Sequence, residues 1–236
     1  MIRRRRPAGD LLKSQLLASL LLASALISPA SASSRAVAYR SVNPVTIDGK
    51  WTSPDEWLDA QEILVEGMAL RVKHDGSSLY LLIDALGDYT SDEDYAIVHI
   101  DPEGDGGHLP RPGDRSFLAR WVCEADPEDA FYWRVELMAM EGDGAGWRPA
   151  GEVKGFSAGS SMLARNDPHG WQTHLIWEFR IPLSVAAKGT SIRIWAGSFD
   201  VSGEGRVFSW PYARAFWHPG LWGEVEVSDG PMPASA

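Results

Sequence analysis

Hydrophobic and polar side chains alternate along much of the chain beyond residue 33. In segment 173–183, Trp177 falls on the apolar side of an extended strand and Glu178 on the polar side. Segment 131–140 alternates in the same way, with Trp133 on its apolar side. This pattern is typical of antiparallel strands that pack one face on a core. It predicts an all-β protein in which both tryptophans are buried.

Short runs rich in β-branched and aromatic residues recur between turn signals, and no long segment follows the period of an amphipathic helix. The sequence His74-Asp75-Gly76-Ser77-Ser78 predicts a tight hairpin. The fold expected is a single antiparallel β-sandwich of the immunoglobulin-like or jelly-roll type. Its predicted strands are 45–47, 63–65, 68–74, 79–85, 96–100, 117–123, 131–140, 151–156, 173–183, 191–201, 207–210 and 224–227.

The first residues read as an export signal. A basic run at 3–6 precedes an apolar run at 16–27, and Ala30-Ser31-Ala32 fits the small-x-small cleavage rule. We expect a signal peptide over 1–32, cleavage before Ser33, and a periplasmic or extracellular protein. A retained N-terminal anchor is the alternative. The folded domain is expected over 33–229, and the tail 230–236 is expected to be disordered.

Charge and cysteine content narrow the range of partners. The net charge is −10, and loss of five basic residues and one acidic residue with the signal peptide takes it to −14. Such a chain repels nucleic acid and anionic membranes, so neither is an expected partner. Cys123 is the only cysteine, which excludes an internal disulfide. The exported fold must therefore depend on its core, with help from a metal as one option.

Several landmarks occur in an order that resembles the family 9 carbohydrate-binding modules and the wider group of DOMON-like β-sandwich domains. The resemblance covers nearly all of the chain after residue 33. Its landmarks are Val45-Thr46-Ile47-Asp48-Gly49-Lys50, Glu56-Trp57, 78–84, Val98-His99-Ile100-Asp101, 177–183, Trp210, Trp217-His218-Pro219 and Trp222-Gly223.

The resemblance implies a calcium-containing sandwich that holds an oligosaccharide or polysaccharide between two aromatic rings. Trp217 matches one ring, and Tyr89 is the nearest aromatic residue to the position of the other. The arginine of the family falls near Leu118, and Arg120 would point the same way. The expected ligand-binding residues are Trp217, Tyr89, Trp210, Trp222, Arg120 and Glu93, with Trp222 nearer to the core because it precedes Gly223 and a strand.

An oxygen-rich loop predicts a structural calcium ion. The loop 101–107 combines carboxylates with glycines, and Ca²⁺ takes six to eight oxygen ligands. A solvated acidic turn without a metal is the alternative, and Asp88, Asp92 and Asp94 could form a second or shared site. The expected metal ligands are Asp101, Asp105, Asp114 and Asp88.

Other chemistry has weaker support. His169 and His174 lie five apart without further ligands, so zinc is a minority interpretation. Met138 and Met140 share a strand face, and haem-binding relatives of the fold ligate iron through Met and a nitrogen donor. No phosphate loop, zinc-protease motif or nucleophile elbow is present. We therefore expect a non-catalytic sugar-binding domain, with a protein-interaction or accessory domain, or a haem domain, as alternatives.

Overall fold

The computed structural model describes residues 34–90, 92–125, 131–162 and 165–234. The predicted signal peptide and its cleavage site lie outside this part, as do the side chain of Trp133 and the last two residues of the predicted tail. Within the described ranges, no helix is long and apolar enough to cross a membrane.

The protein is nearly all β. In the described residues, one helical turn, α1 (Leu183–Ala186), and two 3₁₀ turns, Ala213–Ala215 and Pro219–Leu221, accompany the strands. The strands are β1 (Arg35–Arg40), β2 (Gln61–Val65), β3 (Met68–His74), β4 (Ser78–Ala85), β5 (Tyr95–Asp101), β6 (Arg115–Ala125), β7 (Phe131–Gly142), β8 (Trp147–Pro149), β9 (Ser157–Ser161), β10 (Leu175–Pro182), β11 (Ser191–Asp200), β12 (Arg206–Trp210) and β13 (Gly223–Ser228).

The strands form one large curled sheet in the order β8–β7–β6–β5–β11–β13–β1–β3–β4–β10–β9, with β12 paired to β11 and β2 to β3. β1 is parallel to both of its neighbours, β13 and β3. The other described pairings are antiparallel. The expectation of a purely antiparallel sheet is therefore wrong at β1. β1 lies between two antiparallel groups of strands, β8–β7–β6–β5–β11–β13 and β3–β4–β10–β9. The neighbouring strands β13 and β3 run in the same direction as each other, so β1 is parallel to both.

The core lies between the two groups of strands. Trp177 of β10 is fully buried, as its alternation predicts, and its indole N–H donates to the Ser198 hydroxyl of β11 at 3.1 Å. Because β10 and β11 belong to different groups, this contact crosses the core. Phe117 and Phe179 lie in the same buried cluster. A curled sheet packed in this way is compatible with a β-sandwich.

Two predicted strands are wrong. Segment 45–47 is irregular because it crosses over the outside of β10, where the backbone N–H groups of Asp48 and Gly49 donate to the Glu178 carboxylate at 3.0 and 2.8 Å. Its apolar residues pack on a small cluster around Trp51 instead of entering the sheet. Segment 151–156 is a loop, and the strand begins after it at Ser157. The hairpin between β3 and β4 is confirmed.

Candidate functional site

The sheet presents one face away from the core where β5, β6 and β7 lie side by side. Residues opposite each other in antiparallel strands point to the same side, so the register identifies this face. We call it the outer face. It is made by the cross-strand sets Tyr95–Arg120–Glu136, Ile97–Leu118–Met138 and His99–Ser116–Met140. Leu118 and Arg120 therefore do point the same way, as the sequence predicts.

The segment 211–222 covers one end of the outer face. Its place is set by indole hydrogen bonds: Trp195 donates to the Tyr212 carbonyl at 3.2 Å, and Trp222 donates to the Ala215 carbonyl at 2.8 Å. Phe216 packs edge-on against Trp195, with ring centroids 4.9 Å apart. These rings form a second apolar cluster on the outside of the sheet.

Trp210, Trp217 and Trp222, which we call the closing tryptophans, have different environments. Trp210 and Trp222 are each 1% exposed, whereas Trp217 is 41% exposed. A Cβ on Gly223 would lie 2.1 Å from the Trp210 ring, so that ring is enclosed by backbone. A buried ring offers no face to a ligand. Trp210 and Trp222 were predicted to bind the ligand, but their rings are buried and belong to the core.

Trp217 is exposed but well supported. Its ring packs on Phe216 with centroids 4.9 Å apart. The next residue, His218, donates from Nδ1 to the carbonyl of His108 at 3.0 Å, which ties the segment to the loop after β5. An aromatic ring held in this way can stack on a flat ligand without ordering much of the protein.

The other predicted contact residues lie elsewhere: Arg120 is on the outer face in β6, and Tyr89 and Glu93 are in the segment between β4 and β5. Arg120 and Glu93 form an exposed ion pair at 3.3 Å, and Tyr89 is 45% exposed in the loop after β4. The ring contacts and hydrogen bonds of the described residues include none between this group and Trp217. The Trp217 ring instead contacts Phe216, which packs in turn on Phe199 at a centroid distance of 6.0 Å. The structure brings Arg120 and Glu93 together, but it does not join them to Trp217.

Trp171, which was not among the predicted contact residues, is 81% exposed and is the most exposed of the large apolar residues described. It follows the turn-rich sequence Asn166-Asp167-Pro168-His169-Gly170 between β9 and β10. That composition indicates a loop tip and could have singled out this ring. Trp171 is a second exposed aromatic platform. Neither Trp171 nor Trp217 lines either of two surface grooves of about 460 and 470 Å³, one beside β1 and β13 and the other beside β7.

The unusual environment of His99 was also not predicted from the sequence. It is fully buried on the outer face, and both ring nitrogens lack a hydrogen-bond partner. Its ring lies nearly parallel to those of Trp147 and Trp222, at centroid distances of 4.8 and 5.4 Å, and the two indoles are themselves 6.3 Å apart. Burial lowers the pKa of His99 to about 3. Met140 lies in the same cross-strand set, but His99 is fully buried among the rings of Trp147, Trp195, Phe216 and Trp222, so it has no exposed side for a haem.

Acid should destabilise the protein through His99. Below pH about 6.5 the unfolded chain binds a proton at this position, whereas the folded protein does so only near pH 3, so acidification favours unfolding by up to about 1.4 kcal/mol per pH unit. His99→Phe keeps a flat ring without the nitrogens and should reduce this slope. Urea unfolding at about pH 7 and about pH 5 measures it. Equal slopes in the two proteins would contradict the assignment.

The glycine-rich loop after β5 satisfies its carboxylates internally. Asp101 accepts the backbone N–H groups of Gly104 and Gly106 at 2.8 and 2.7 Å. Asp105 pairs with the Arg111 guanidinium at 3.1 Å, and Asp114 accepts the Arg111 backbone N–H at 2.7 Å. Among the described residues, Asp101, Asp105 and Asp114 do not form a group of converging ligand atoms.

Asp88, the fourth predicted ligand, has a different environment. Carboxylate oxygens of Asp88, Asp94 and Asp200 all lie within 4.8 Å of one another, and the three side chains are buried. We call this group the carboxylate cluster. One oxygen of Asp88 and one of Asp94 have no hydrogen-bond partner. Burial and the nearby Asp94 raise the pKa of Asp88 to about 7. These are properties of a site that fits a cation.

Neighbouring groups hold the carboxylate cluster in place. Asp94 accepts the backbone N–H of Val201 at 2.8 Å, and Asp200 pairs with Arg206 at 2.6 Å. Asp200 was not predicted as a ligand, because it is the last residue of β11 and follows Asp88 and Asp94 by about a hundred residues. Only the pairing of β11 with β5 brings it close.

A scan against protein-family models finds no match, and a search of curated proteins finds no significant match. The assignment of a function therefore depends on the geometry of the site.

Proposed function

We propose that this protein is an exported, non-catalytic β-sandwich domain, similar to the family 9 carbohydrate-binding modules, that binds an oligosaccharide or polysaccharide at Trp217. The observation that carries the proposal is the contrast among the closing tryptophans. Trp210 and Trp222 are enclosed, whereas Trp217 is 41% exposed and supported from behind by Phe216. Sugars present flat apolar C–H faces that suit such a ring. Affinity in the range from about millimolar to micromolar is expected.

A structural calcium ion is part of the proposal. The carboxylate cluster offers oxygen ligands only, which is the chemistry that Ca²⁺ prefers. Two unpartnered, buried oxygens of Asp88 and Asp94 support this assignment, because buried carboxylates without a partner or a cation are costly. The ion would neutralise the cluster and hold the loop after β4 against the end of β11.

The test is a glycan-array screen of the exported chain, followed by calorimetry on the glycans that bind. Trp217→Ala should abolish detectable binding and leave the melting temperature nearly unchanged, since a half-exposed ring contributes little to the core. Trp171→Ala is the matched control, because it removes an even more exposed tryptophan from another loop. It should bind like the wild type.

Two other outcomes would overturn the proposal. Loss of binding in Trp171→Ala but not in Trp217→Ala would show that the sugar stacks on Trp171, in the loop before β10. Absence of any glycan binding by the folded wild type would favour the protein-interaction or accessory domain.

A further inference from the structure

A second group of potential ligands lies at the end of β4, outside the proposed sugar and calcium sites. Asp84 is near the last residue of β4, His174 directly precedes β10, and Asp167 lies in the loop before it. Their exposures are 1%, 1% and 8%. His174 Nε2 contacts Asp84 Oδ1 and lies 3.0 Å from Asp167 Oδ2. Three ligand atoms therefore converge in a buried position.

The polar contacts of these three atoms are with one another. His174 Nε2 lies within ion-pair distance of Asp84 Oδ1 and of Asp167 Oδ2, but these contacts lack hydrogen-bond geometry, and none of the three atoms has a hydrogen-bond partner elsewhere. The other ring nitrogen, Nδ1, lies 2.7 Å from the carbonyl of Gln172. A carbonyl can only accept, so Nδ1 carries the hydrogen. A bare lone pair on Nε2 would then face two negatively charged oxygens, so either a proton or a metal ion must lie between Nε2 and the two carboxylates.

We propose that Asp84, Asp167 and His174 bind a divalent transition-metal ion of the zinc class. A metal-binding histidine usually donates its second ring N–H to a carbonyl or carboxylate, as His174 does to Gln172. One imidazole nitrogen with two carboxylate oxygens suits zinc, whereas Ca²⁺ takes oxygen ligands. The cation offsets two buried negative charges that would otherwise lie side by side.

The metal would fix a loop to the sheet. Asp167 and His174 lie at the two ends of the loop that carries Trp171, and Asp84 belongs to the sheet itself. Asp167 also accepts the backbone N–H of His169 at 2.9 Å through its other oxygen, which orients the carboxylate. One ion would therefore tie both ends of this loop to β4.

The competing explanation is a protonated His174 that bridges the two carboxylates without any metal. Calorimetry separates the two. Metal-free wild-type protein is titrated with ZnCl₂ in excess Ca²⁺, which occupies the all-oxygen carboxylate cluster. The expected result is one zinc per chain. His174→Asn keeps a donor near Gln172 but removes Nε2, and it should weaken zinc binding at least about 100-fold.

His169→Asn is the matched control, since His169 is on the same loop but pairs with Glu62 at 2.9 Å. It should bind zinc like the wild type. No zinc uptake by the wild type, unchanged uptake in His174→Asn, or equal loss in His169→Asn would each overturn the proposal. If His174→Asn fails to fold, Asp167→Asn and the visible spectrum of the Co²⁺-loaded wild type decide. A spectrum identical to that of free aqueous Co²⁺ would exclude the site.

Discussion

Replacing Trp177 with alanine should lower the free energy of unfolding by about 3–5 kcal/mol, the usual cost of removing a large aromatic side chain from a core. The ring is fully buried between the two groups of strands, and its N–H donates to Ser198. The substitution therefore opens a cavity and leaves a buried hydroxyl without its partner. This loss is a large part of the stability of an ordinary domain.

Urea unfolding followed by circular dichroism measures the effect. Trp217→Ala is the control, and its free energy of unfolding should stay within about 0.5 kcal/mol of the wild type. If Trp217→Ala were as destabilising as Trp177→Ala, the role of segment 211–222 would be to cover the apolar end of the sheet. The sugar-binding proposal would then lose the observation that carries it, and an interaction domain would be the better interpretation.

The contrast between these tryptophans also shows which features local sequence can predict. Trp177 lies on the core side of β10, as the alternation predicts. The opposite side was expected to face solvent, and there the expectation is wrong for Glu178, which is fully buried under Asp48 and Gly49, whereas Arg180 is exposed. Alternation therefore identified the strand and its core side, but not the segment that covers its other side. The turn between β3 and β4 was equally predictable, since Gly76 adopts a positive φ of 87° there. Both features depend on residues that are close in sequence.

Features that depend on distant residues were not predictable. Asp200 joins Asp88 and Asp94 only through the register of β11 on β5. Asp84 meets His174 because β4 pairs with β10, which brings together residues 90 positions apart. The sequence showed these carboxylates and histidines, but not which of them converge. For the same reason, the sequence favoured the glycine-rich loop over the carboxylate cluster as the calcium site, although Asp101 accepts backbone N–H groups of that loop and Asp105 pairs with Arg111.

Calcium should stabilise the protein strongly if it occupies the carboxylate cluster. A ligand that binds only the folded state adds about 4 kcal/mol at a thousand times its dissociation constant. For a domain of this size that corresponds to a rise in melting temperature of about 10 °C. Titration of CaCl₂ into metal-free protein, followed by thermal unfolding, measures the rise. Asp94→Asn should abolish it, because the substitution removes one charge and one free oxygen from the cluster.

The same variant has a second expected effect. Asp94 helps to raise the pKa of Asp88, so the two carboxylates repel each other in the metal-free protein. Asparagine can still accept the N–H of Val201 but carries no charge. Without calcium, Asp94→Asn should therefore be at least as stable as the wild type near neutral pH, and with calcium it should be less stable. Asp105→Asn in the glycine-rich loop is the matched control and should respond to calcium like the wild type. If calcium no longer raised the melting temperature of Asp105→Asn but still raised that of Asp94→Asn, the calcium site would be the loop after β5 and not the carboxylate cluster.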